Sequence, residues 1–101
     1  MERLTVNVKV NWVTEAQGGK TNLPLNILYY VITDPMQGKI GEPTSWSLVL
    51  DIESNYVEKE NRIGLGKAYF LVDDAPDFLL TQGVTLNVYE GPKFVAIVEV
   101  L

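Results

Sequence analysis

An all-β fold of antiparallel strands, closed as a sandwich or a barrel, is what this sequence predicts. Three observations point there. Apolar and polar residues alternate with period two, strand-length apolar runs are divided by Gly, Pro and Asp clusters, and no long stretch repeats apolar residues at helical spacing. Six or seven such runs fit the 101 residues, which is the size of one domain spanning 1–101.

The elements follow in order. Leu4, Val6, Val8, Val10 and Trp12 alternate with Thr5, Asn7, Lys9 and Asn11, so the first strand has one apolar and one wet face. Glu15–Lys20 interrupts it with paired glycines, which accept positive φ without steric cost. Leu25–Thr33 is a second strand, apolar on both faces, as expected of a strand covered on both sides. Asp34-Pro35 ends it, and Gly41-Glu42-Pro43 is a further break. Trp46–Ile52 is the third strand, with Trp46, Leu48, Leu50 and Ile52 sharing a face. Glu53–Gly66 is the least interpretable stretch, and its charged centre, Val57–Arg62, reads as a solvated loop or one helical turn. Lys67–Val72 is the fourth strand, stopped by Asp73–Asp77, and Phe78–Leu80 reads as a short strand. Val84–Glu90 and Lys93–Leu101 form a hairpin about Gly91-Pro92. In the last strand, alternation places Phe94, Ala96, Val98 and Val100 on one face and Val95, Ile97 and Leu101 on the other.

Composition closes off much chemistry. The absence of cysteine excludes disulfides, thiolate metal sites and a thiol nucleophile, and the absence of histidine removes the commonest general base and metal ligand. No cofactor, metal site or enzymatic activity is expected. Eight basic residues stand singly against thirteen acidic ones, for a net charge of −5. Nucleic-acid binding is therefore disfavoured, because such affinity comes largely from neutralising phosphates with a basic surface. The first residues lack the apolar core of a signal peptide, and no apolar run approaches a membrane span, so a soluble cytoplasmic protein is expected.

Few motifs stand out. Gly18-Gly19-Lys20-Thr21 matches the end of a phosphate-binding loop, but Thr14 occupies the place of its first glycine and Pro24 opposes the helix that must follow. It reads as a turn. Asp73, Asp74 and Asp77 are the densest carboxylate cluster, without the spacing of a calcium loop, and read as a solvated turn. Tyr29, Tyr30, Tyr56, Tyr69 and Tyr89 lack a basic groove to make them base-stacking platforms, so half-buried packing is expected. Trp12 and Trp46 are core candidates.

The order of these features resembles domain III of elongation factor Tu. The resemblance rests on the first strand with its Thr14–Thr21 turn, on Ala68–Val72 with the Asp73–Pro76 break, and on Gln82-Gly83, Leu86–Gly91 and the final Lys93–Leu101 strand. It covers roughly residues 4–40 and 64–101 and leaves Gly41–Ile63 unmatched. It implies a six- or seven-stranded antiparallel barrel. In that family the domain supports a GTPase domain and helps hold aminoacyl-tRNA. Here Tyr89 stands in place of the family's basic turn residue, Pro92-Lys93 replaces its Gly-Arg, and Ala96 and Val98 replace glycine-rich positions. The second strand opens on Asn26-Ile27 or nearby, where the family has Arg-Pro. Basic contacts are thus lost, and no GTP binding is expected of these residues.

Three functions remain in view. The leading expectation is a non-catalytic protein–protein interaction module, binding a partner or itself through Tyr30, Tyr89, Val95, Ile97 and Leu101. An accessory RNA-binding domain requires Lys20, Lys39, Lys67 and Lys93 to gather on one side. A small enzyme or metal-binding protein requires Asp73, Asp74 and Asp77 to line a pocket.

Overall fold

The computed structural model describes residues 4–37 and 41–101. Six strands form one closed antiparallel barrel: β1 (Val6–Trp12), β2 (Leu28–Thr33), β3 (Ser47–Glu58), β4 (Asn61–Phe70), β5 (Thr85–Glu90) and β6 (Lys93–Val100). Their order around the wall is β1-β4-β3-β2-β5-β6, and β6 returns to β1 with Val10 opposite Val98. Closure removes most of the free edges that an open sheet would present.

Alternation decides which side chains fill the interior. Val8, Val10 and Trp12 point in from β1, Leu48, Leu50 and Ile52 from β3, and Val88, Val98 and Val100 from β5 and β6. Gly64 and Gly66 stand on β4 opposite Val10 and Val8. The Gly66 position has no room for a side chain, because a Cβ there would lie 2.1 Å from the Asp51 carbonyl oxygen. The β3–β4 register shifts at this point, between Ile52 and Ser54. A bulge of this kind bends a strand and leaves close backbone approaches that favour glycine.

Three local expectations are corrected. Val57–Arg62 is neither a solvated loop nor a helical turn, and Glu53–Gly66 as a whole is paired strand on either side of a tight turn. It is the continuation of β3, a turn, and the first part of β4, with Glu58 paired to Asn61. Both residues of that turn, Lys59 (φ 48°) and Glu60 (φ 71°), are left-handed, the conformation of a type I′ hairpin usually built with Asn-Gly. Phe78–Leu80 forms no strand: Asp77–Leu79 is a single 3-10 turn. Val95 does not share the outer face with Ile97. A bulge shifts the β5–β6 register between Val88 and Tyr89, so Val95 joins Ala96 in the core, 1% exposed. One extra residue reverses the facing of what lies on either side of it.

Candidate interaction surface

β2 separates its residues sharply by face. Tyr29, Val31 and Thr33 turn inward, Val31 and Thr33 being fully buried. Leu28, Tyr30 and Ile32 turn outward and are 48%, 51% and 43% exposed. The strand is therefore covered on its inner face only, contrary to the expectation from its apolar composition. Register carries the outer face across the wall. Tyr30 is opposite Val49, itself opposite Tyr69, and Ile32 is opposite Tyr89. Tyr89 pairs in turn with Phe94, their rings 5.5 Å apart. Val49 points out of the barrel yet is fully buried, between the outward tyrosines that flank it. The bulge that sends Val95 inward leaves Phe94 exposed beside Tyr89. The result is an apolar outer face centred on Leu28, Tyr30 and Ile32 and reaching Tyr89 and Phe94.

The expected surface residues thus divide. Tyr30 and Tyr89 lie on adjacent strands of this face, Tyr89 half-buried. Its hydroxyl is hydrogen-bonded to Asp34, which raises its pKa. Ile97 is exposed but flanked by Asn87 and Asn11, and Leu101 binds through its N–H to the Asn7 carbonyl, so neither extends the patch. Val95 is core. Leu28, Ile32 and Phe94 were missed; for Leu28 and Ile32 the available signal was a strand apolar on both faces.

One barrel end is held by polar contacts. The Lys20 ammonium binds the Glu90 carboxylate at 2.8 Å and lies 5.0 Å from the centre of the Tyr29 ring. Tyr29 donates its hydroxyl to the same carboxylate. Burial first, then Glu90, raises the Tyr29 pKa above the ordinary tyrosine range, while bonds from Lys20 and then Tyr29 lower that of Glu90. Arg62 donates to the carbonyls of Lys20 and Val13, pinning the loop between β1 and β2 across this end. The Trp12 indole N–H donates to Asn55, whose amide donates to the Pro24 carbonyl. Gly18-Gly19-Lys20-Thr21 therefore belongs to a pinned connection that runs on through Pro24 to β2, not to a helix.

Asp73, Asp74 and Asp77 are exposed in the connection after β4. Among the described residues, no group of three or more His, Cys, Asp or Glu could hold a metal ion. A cleft of about 220 Å³ lies elsewhere, lined by Thr33, Asp34, Pro35, Met36, Thr85, Leu86 and Asn87. Lys20 and Lys93 both neighbour Glu90, whereas Lys67 lies on β4 opposite Asp51, across the wall from them. Lys39 lies outside the described residues. Among the described residues, no helix is long and apolar enough to cross a membrane. No protein family, curated protein or solved structure matches this chain.

Proposed function

We propose that this chain is a non-catalytic protein–protein interaction module built on a translation-factor-like barrel, and that it docks through the outer face of β2. The observation that carries the reading is the run of three outward residues, Leu28, Tyr30 and Ile32, each more than two-fifths exposed on one strand. Continuing the patch to Tyr89 and Phe94 adds aromatic area, which suits a desolvated interface centre. The side-chain inventory supports the non-catalytic part: it supplies neither thiol nor imidazole, and the densest carboxylate cluster is exposed on a connection. The resemblance to domain III supports the same reading, since that domain works packed against a neighbouring protein unit. The RNA-facing alternative has less support, because Lys67 stands apart from Lys20 and Lys93.

The test is a Tyr30→Lys/Ile32→Glu double variant, compared with the parent for folding and for proteins co-purified from the native source. Both side chains are half exposed, so the thermal midpoint is expected to move little. Loss of a specific co-purifying protein supports the reading. An unchanged set of bound proteins contradicts it.

A further inference from the structure

Beyond Ile52 the two sides of β3 differ. β4 accompanies it to the turn, from Ser54 opposite Leu65 to Glu58 opposite Asn61. β2 pairs only with Ser47–Asp51. The last backbone bond on that side is from the Asn26 N–H to the Ile52 carbonyl, at 2.9 Å, where Asn26 is left-handed (φ 57°). Beyond it the chain meets β3 through the Asn55 side chain, which donates to the Pro24 carbonyl. A two-residue turn makes Glu58 and Asn61 a mutually bonded pair, and bonded and unbonded pairs alternate along an antiparallel ladder. Ser54 and Tyr56 therefore bond toward β4, while the N–H and C=O groups of Asn55 and Val57 face the open side. Among the described residues no backbone hydrogen bond is made to them there.

Such an edge is a template for another strand. Its side chains suit that use: Tyr56 on one face is 42% exposed and Val57 on the other 71%. Charge selects the occupant. Glu53, Glu58 and Glu60 are all exposed around this edge, with Lys59 as the one exposed cation among residues 53–61. The neighbouring Arg62 is turned away, donating to the carbonyls of Lys20 and Val13. A second copy would bring the same acidic excess and an overall charge of −5, and like charges across a ladder oppose pairing.

We propose that the open edge of β3, between Glu53 and Glu58, accepts an extended segment of a partner protein as an added strand, one with basic residues flanking an alternating apolar stretch. This edge is separate from the outer face of β2, and its test is independent of that reading.

The probe is the blocked peptide Lys-Val-Thr-Val-Thr-Val-Lys, titrated into the full chain and followed by amide shifts and hydrogen exchange. The amides of Asn55 and Val57 are expected to shift and to gain at least tenfold protection. A peptide ending in Glu at both ends is expected to bind at least tenfold more weakly. Val57→Pro removes one edge donor and is expected to abolish the effect. If that variant does not fold, Glu53→Lys/Glu58→Lys changes only exposed side chains and is expected to invert the preference toward the Glu-ended peptide. No shift at millimolar peptide, equal binding of both peptides, or shifts confined to Leu28–Ile32 would overturn the proposal. So would concentration-dependent dimerisation mediated by Asn55 and Val57 without peptide, which would make a second copy the occupant.

Discussion

The two tight hairpins of this barrel are built on turns of the same length and differ in almost everything else. Gly91-Pro92 joins β5 to β6 with a left-handed glycine (φ 58°) followed by a residue whose ring fixes φ, an order that suits a type II′ turn. Lys59-Glu60 joins β3 to β4 with two left-handed residues, neither of them glycine. β6 is held by β5 from Lys93 to Glu99 and by β1 from Ala96 to Val100, with the Val13 N–H bonded to the Val95 carbonyl. The tip of β3 has β4 alone, and β4 in turn is gripped by β1 as far as Arg62 opposite Trp12. In one hairpin turn chemistry and packing agree. In the other, packing on one side overrides an unfavourable turn and leaves the opposite side open. That open side is where a further strand can be added.

Substitutions at the two hairpins sharpen the contrast. Gly66→Ala is expected to cost the most, roughly 3 kcal/mol, because its Cβ would meet the Asp51 backbone at the base of the β3–β4 hairpin. Denaturant unfolding measures it, and a loss below about 0.5 kcal/mol would show that the bulge tolerates a side chain. Lys59→Asn/Glu60→Gly replaces two strained residues with those a type I′ turn favours, and about 1–2 kcal/mol should be gained in the same experiment. Gly91→Ala should lose about 1 kcal/mol, since open space surrounds its Cβ and only the positive φ opposes it. If the first turn gains nothing from Asn-Gly while the second loses nothing with Ala, strain at these turns is not what separates them.

The smallest effect concerns pH. Burial and the bond to Glu90 raise the folded-state pKa of Tyr29 above its ordinary value of 10.0. The stability linked to this proton is complete below about pH 10 and is lost as pH rises toward the higher folded value. Tyr29→Phe is expected to reduce the alkaline decline seen when unfolding is compared at pH 8 and pH 11. An identical decline in the variant would place its origin in other groups.

Much of the barrel was legible because its strands announce themselves. The alternation of Leu4–Trp12 and the Gly91-Pro92 turn are local signals, and both correspond to elements of the structure. Glu53–Gly66 was not legible, because Lys59-Glu60 is no turn signature and Glu53–Glu58 has a wet surface on both faces. Bulges are silent in the sequence as well. The shift at Val88/Tyr89 moved Val95 into the core and brought Phe94 beside Tyr89, which no period-two count could foresee. The exposed apolar face centred on β2 was half legible. Tyr30 and Tyr89 belong to it, but the register that joins them through Ile32 is a long-range property of β2 and β5. An apolar strand also does not state whether its second face is covered by its own chain, and for β2 that was the deciding point.

A photo-crosslinking residue at position 30, compared with one at Lys9 on β1, decides whether the outer face of β2 is the docking surface. With the protein expressed in its native source, position 30 is expected to give a discrete crosslinked protein band that Ile32→Glu removes and that position 9 does not give. Equal crosslinking from both positions, or none from position 30 above the Lys9 control, would contradict the outer face of β2 as the docking surface.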